Sequence, residues 1–251
     1  GILHSFPTRR SSDLTNSAGT SYGADATFTT EPAVSGYGWT QQAAKLVAAG
    51  ATSGSFFLRD IDHVTVDGTP RLFLTSGGTS AGSIVYRSDD GGTTFVATGA
   101  AADTFEALSV RPDGQTLFGA GYGKVWKSTD GGTSWTKSTL MGSGYFSDVH
   151  FVTDTVGYAV GGSGAGGVPY VHGFRTTDGG ATWTEMTNRA SPHDRGYYDA
   201  VWAPDATHPD TVWVAQGTGI TYILHSTDGG TTWGESDTMD EVTDLYFKDA
   251  N

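Results

Sequence analysis

One eight-residue pattern recurs four times, and it restricts the fold more than any other property of the sequence. The segments 88–95, 128–135, 176–183 and 226–233 each read hydroxyl, any residue, Asp, Gly, Gly, any residue, hydroxyl, aromatic. Their fixed positions are Ser88, Asp90, Gly92, Thr94 and Phe95; Ser128, Asp130, Gly132, Ser134 and Trp135; Thr176, Asp178, Gly180, Thr182 and Trp183; and Ser226, Asp228, Gly230, Thr232 and Trp233. The four aspartates are spaced by 40, 48 and 50 residues, the length of a four-stranded propeller blade. An aspartate followed by two glycines specifies a tight hairpin: the carboxylate accepts N–H groups of its own turn, and glycine enters backbone regions closed to other residues. The aromatic then opens the next strand. Eight of the 37 glycines among 251 residues are placed by these turns alone, which accounts for part of a content about twice the usual ~7 %.

A second repeat lies upstream of each turn. An acid precedes a short first strand, seen at Asp60–Val64, Glu106–Val110, Asp148–Val152 and Asp199–Ala203. A second strand follows at Arg71–Leu74, Thr116–Gly119, Gly157–Val160 and Thr211–Val214. A third strand, Ile84–Arg87, Lys124–Lys127, Val171–Arg175 and Tyr222–His225, leads into the turn. Short apolar or alternating runs bounded by glycine predict strands, and no helical periodicity competes with them. The fold class expected is all-β, a propeller of four-stranded antiparallel blades.

The repeated segments resemble the Asp box, or bacterial neuraminidase repeat, and the wider blade pattern resembles propellers of the photosystem II assembly factor and sortilin types. Phe95 and Ser134 depart from the usual Trp and Thr but keep the chemistry. The resemblance, which covers residues 58–251, implies that the box joins the third and outermost strands, away from the face that usually binds ligands. The most specific motif is thereby the one furthest from function.

Residues 242–251 repeat the opening of a blade, with Asp244 in the acid position. With a mean box spacing of 46 residues, the stretch 58–251 holds a little over four blades, and propellers close with ~4–8, so the expectation is an open part of a larger ring. Upstream, residues 15–30 resemble the last strands of a fibronectin type III domain. Residues 1–14 resemble a translated sequencing adapter and are set aside from fold reasoning. Residues 31–57 read as a linker in which Trp39 opens an outer strand, or as a degenerate blade over 41–57.

The acids Asp60, Glu106, Asp148, Asp199 and Asp244 each enter a first strand, so they are expected near one end of the blades. Two readings stay open: an acidic ring that attracts a metal ion or a basic ligand, or carboxylates that bond backbone groups of neighbouring blades. The loops between second and third strands carry Tyr122, Tyr170 and Tyr222, and the interblade loops carry Tyr145, His193, Asp194, Arg195 and Tyr197. Such tyrosines stack on sugar rings, anchor a protein partner, or simply pack the blades.

Composition excludes several classes. A formal charge of −13 argues against nucleic acid, which is bound through Lys and Arg. No apolar run approaches the ~20 residues of a membrane-spanning helix. Zero cysteines remove thiolate chemistry, no histidine spacing specifies a metal, and no cofactor motif is present. A sialidase-type enzyme needs an arginine cluster and a Phe/Tyr-Arg-Ile-Pro segment, and that segment is absent. Arg87 and Arg175 share one blade slot with Lys127 and His225, which points to a structural role. The expectation is a non-catalytic module that binds a protein or carbohydrate, set in a secreted or cell-surface protein. The alternatives are a sialidase- or xyloglucanase-like hydrolase fragment and an intracellular scaffold like the photosystem assembly factors.

Overall fold

The computed structural model describes residues 14–16, 19–21, 46, 49, 57–79, 82–100, 104–142, 144–163, 170–186, 197–203, 206–217 and 221–239. The chain divides into two compact units, Gly1–Gly38 and Trp39–Asn251. In the first, β1 (Leu14–Asn16) pairs with β2 (Gly19–Ser21) in an antiparallel hairpin. The expectations for Trp39 and for residues 242–251 lie outside the described residues.

The described residues of the second unit form four antiparallel four-stranded sheets, each of consecutive strands, in the architecture of β-propeller blades, with Leu46 helical ahead of them. The first blade is β3 (Phe57–Val66), β4 (Thr69–Thr79), β5 (Gly82–Ser88) and β6 (Val96–Ala100). The second is β7 (Phe105–Val110), β8 (Leu117–Gly121), β9 (Lys124–Ser128) and β10 (Thr136–Thr139). The third is β11 (Tyr145–Phe151), β12 (Gly157–Ser163), β13 (Tyr170–Thr176) and β14 (Thr184–Glu185), and the fourth is β15 (Tyr197–Trp202), β16 (Val212–Gly217), β17 (Thr221–Ser226) and β18 (Gly234–Met239). The first, second and third strands expected in each of the four blades are present, and each eight-residue turn joins the third strand to the fourth.

Both faces of a central strand are buried, as in β8, because each blade packs against the next. Phe73 and Val85 of the first blade meet Phe105, Leu108, Leu117 and Trp126 of the second. Phe118 of the second blade stacks on Phe151 of the third at 3.5 Å, and Tyr158, Val160 and Met186 of the third meet Val201, Val212, Val214 and Leu224 of the fourth. The turn aromatics Trp135, Trp183 and Trp233 close these same seams. On the first blade Phe95 packs with Leu74 and Tyr86 under Leu46, which stands where a preceding blade would place its core. Burial of such large side chains supplies the main driving force of each seam.

Inside each turn the hydrogen bonds repeat. The leading hydroxyl donates to Asp Oδ1 at 2.7–2.8 Å, while its oxygen accepts the second glycine's N–H at 2.8–3.0 Å. The same carboxylate takes the N–H and hydroxyl of Thr94, Ser134, Thr182 or Thr232.

The glycines also receive the neighbouring blade. Phe73 and Arg87, Phe118 and Lys127, Tyr158 and Arg175, and Trp213 and His225 are directly opposed on second and third strands. The first three cations reach the first glycine of the following turn. Lys127 Nζ donates to the Gly179 carbonyl at 2.7 Å, and a Cβ at Gly131 or Gly229 would lie 2.5 Å from Arg87 Nη1 or 2.8 Å from Arg175 Nε. This explains why the slot holds a cation in the first three blades.

Gly230 (φ +85°) and Gly91 (φ +67°) separate backbone strain from seating, because a Cβ at Gly230 meets Met186 Sδ at 2.4 Å whereas at Gly91 it meets nothing within 4 Å. Gly91→Ala is expected to cost about 1–2 kcal/mol from the left-handed backbone alone. Gly230→Ala is expected to cost about 1–3 kcal/mol more, measured as the difference in denaturant midpoints of the two variants.

Candidate functional site

Antiparallel order puts the eight-residue turns at one end of every blade. The turns between second and third strands, and the connections into the next blade, lie at the other end. Each first strand begins at that second end with a β-bulge. The unpaired residues are Arg59, Glu106, Ser147 and Asp199, and the residues that resume pairing are Asp60, Ala107, Asp148 and Ala200. Glu106 and Asp199 thus stand one position before Asp60 and Asp148, so the acids occupy two slots rather than one ring. Only the backbone of Asp199 is described, and Asp244 lies outside the described residues.

The described carboxylates of the second slot are tied to backbone. Asp60 accepts the N–H of Ile61 on Oδ1 and that of Leu108, in the next blade, on Oδ2, both at 2.7 Å. Asp148 repeats this with Val149 at 2.7 Å and Val201 at 2.9 Å. Two residues further on, Asp62 accepts His63 and Val110 N–H groups at 2.7 Å, Ser109 Oγ accepts the Phe151 N–H at 3.4 Å, and His150 bonds the Ala203 backbone. A first strand is the edge of its sheet, and its outward N–H groups need acceptors. Asp60, Asp62, Ser109 and Asp148 of the preceding blade supply them. Burial raises the Asp62 pKa against the pull of these N–H groups, and burial lowers that of His150. Among the described residues no three His, Asp or Glu side chains converge as metal ligands.

Among the described residues, this end presents to solvent a strip on the first three blades. Tyr122, in the β8–β9 turn, and Tyr145, at the start of β11, are each 50 % exposed and meet edge to face at 4.7 Å and 89°. Arg59 and Glu106 pair at 3.0 Å across the first two blades. The register Phe105↔Gly121 sets Glu106 beside the Tyr122 turn. Tyr222 instead packs on the seam between the third and fourth blades. Tyr170 opens β13 opposite Ser163. His193, Asp194 and Arg195 lie outside the described residues.

Two cavities lie between the outer strands of one blade and the turn of the next. One of about 200 Å³ is lined by Arg175, Thr184, Glu185 and Gly230, and one of about 310 Å³ by Phe118, Lys127, Lys137 and Gly180. At the turns themselves, the Asp90 carboxyl is held at about 2 by the Thr94 N–H and then by the Thr94 and Ser88 hydroxyls. In Asp130, Asp178 and Asp228, also at about 2, the hydroxyl of Ser134, Thr182 or Thr232 leads.

No family model matches the chain, and no curated protein does. Solved structures similar to it include a GH74 enzyme of Niastella koreensis (19 % identity, 71 % of this chain and 38 % of that chain, TM-score 0.38). YCF48 bound to D1 peptide is similar at 16 % identity over 73 % and 83 % of the chains, with a TM-score of 0.37. The RRP9 WD40 repeats are similar at 12 % identity over 73 % and 68 %, with a TM-score of 0.42. The chain spans 38 % of the length of the two GH74 enzymes it resembles, the second from Xanthomonas campestris.

Asp148→Ala leaves the Val149 and Val201 N–H groups without their carboxylate and is expected to destabilise by about 1–3 kcal/mol, read from denaturant melts. The acid limb has a definite sign. The turn carboxyls titrate at about 2 when folded against 3.8 ordinarily, so their contribution is full above about pH 4 and is lost as pH falls through about 2. Asp130→Asn is expected to flatten part of that limb in thermal melts taken between pH 5 and 2.

Proposed function

We propose that this chain is a non-catalytic binding module that takes a protein partner on the strip formed by Arg59, Glu106, Tyr122 and Tyr145. The observation that carries the reading is the half-exposed, perpendicular tyrosine pair contributed by two different blades. Tyr and Arg are the residues most enriched at the energetic centres of protein interfaces, and two rigid rings present a large contact area at small entropic cost. Small-molecule and sugar-cleaving sites are concave. The cavities described above lie beside the other end's turns, where the lining includes box glycines. Asp60, Asp62 and Asp148 bond backbone N–H groups, a role that competes with general acid or base chemistry.

The same reading takes the four turns as Asp boxes and places the module in a larger secreted or cell-surface protein. A carbohydrate ligand is the second reading, because the same exposed rings suit the apolar face of a sugar.

A displayed library of extended peptides and a glycan array separate the two. Enrichment of peptides is expected, with Tyr122→Ala and Tyr145→Ala each weakening the selected peptide by about 10- to 100-fold while thermal stability is retained. Peptide binding that survives both substitutions, or binding to glycans alone, counts against the protein reading.

A further inference from the structure

One cleft recurs at the three seams, between the outermost strand of a blade and the second glycine of the next blade's turn, and its filling differs from seam to seam. At Gly132 it is filled by Thr98, the bulged residue of β6, whose hydroxyl lies 3.0 Å and 3.2 Å from the Val85 and Gly132 carbonyl oxygens. At Gly230 it is filled by Met186, which is buried among core side chains of the third and fourth blades. Thr136 opposes Lys127 as Thr184 opposes Arg175, so Ser138 is the register counterpart of Met186. Serine is too short to fill the cleft, and β10 pairs with β9 without a bulge. At Gly180 a cavity of about 310 Å³ therefore remains, lined by Phe118, Lys127, Thr136, Lys137 and Ser138.

The charge of the cleft changes as well. Between the third and fourth blades, Arg175 pairs with Asp210, and Glu185 lines the cleft. Between the second and third, Lys137 holds the place of Glu185. Thr155 holds the place of Asp210, since the carbonyls of these two residues accept the equivalent Gly179 and Gly229 N–H groups. Lys127 Nζ is fixed by the Gly179 carbonyl at 2.7 Å and lies 5.5 Å from the Phe118 ring centre, which leaves N–H donors of the ammonium for a ligand. Among the described residues no carboxylate pairs with Lys127 or Lys137. Two ammonium groups and two hydroxyls thus line one cavity in a chain whose formal charge is −13.

We infer that this cavity binds a small organic anion with hydroxyls beside its charged group, of the class of sugar acids and sugar phosphates. Lys127 and Lys137 take the charge, and Thr136 and Ser138 take the hydroxyls. A lysine ammonium holds carboxylate or phosphate as a point charge. The volume of about 310 Å³ lies at the lower end of small-molecule sites, and it is larger than a bare oxyanion fills. The site sits at the turn end of the blades, so it is independent of what Tyr122 and Tyr145 bind.

Calorimetric titration of the full chain with glucuronate, glucose 6-phosphate, glucose and inorganic phosphate tests the inference. Glucuronate or glucose 6-phosphate is expected to bind about tenfold or more tighter than glucose and inorganic phosphate, and more weakly as salt is added. The tighter of the two distinguishes carboxylate from phosphate. Two substitutions import the next blade's residues. Ser138→Met fills the cleft and is expected to weaken anion binding about tenfold or more, with the thermal midpoint unchanged or raised. Lys137→Glu reverses a lining charge and is expected to weaken it about tenfold or more. Lys137 is exposed on the outermost strand, so this variant keeps the test decisive if Ser138→Met disturbs the seam. Absence of anion binding at the highest soluble probe concentration, equal binding of glucose, or anion binding that survives either substitution in a folded variant overturns the inference.

Discussion

The outward N–H groups of each first strand are the constraint on which the blades depend. A four-stranded sheet ends there in an edge, and an edge left open recruits another strand. This chain covers its edges with side chains of the blade before: Asp60 for Leu108, Asp62 for Val110, Ser109 for Phe151, Asp148 for Val201. The bond fixes the distance and register between neighbouring blades, and the aromatic seams then fill the space so defined. Charged acceptors do this more strongly than neutral ones, which gives the acids a structural reason to recur.

The ends of the blades divide the work. At one end the aspartate turns are closed on themselves, and those of the second, third and fourth blades receive the cation of the preceding blade. At the other, bulges release one side chain per blade from the ladder, and those four residues, Arg59, Glu106, Ser147 and Asp199, differ in charge from blade to blade. Bulges commonly re-aim side chains beside functional surfaces. Variation belongs at such a place, because these positions carry neither register nor core.

The strands and the four turns were legible in the sequence because local chemistry determines them: Asp-Gly-Gly admits few backbone paths, and short glycine-bounded apolar runs admit few alternatives to strand. The register of the acids was not. A bulge inserts one residue without any mark in the sequence, and it sets Glu106 apart from Asp60 although both open a strand. Ser109 and His150 share the slot of Asp62 and went unrecognised as its equivalents, since three residue types there have only position in common. Tyr122 was visible as a loop aromatic, but its contact with Tyr145 joins two blades and depends on how they stack. Tyr222, which looked equivalent, turns into a seam. Why one slot holds Arg87, Lys127 and Arg175 became clear only with the next blade's glycine beside it.

The aspartate turns have a kinetic meaning as well. Their hydrogen bonds connect residues two to four apart in the chain, so they need only a small loop closure, an event of nanoseconds to microseconds. The seam bonds, such as Asp60 to Leu108, connect residues 48 apart and must await far rarer encounters. Folding therefore has four equivalent local starting points, and the slow step is the docking of blades already half made.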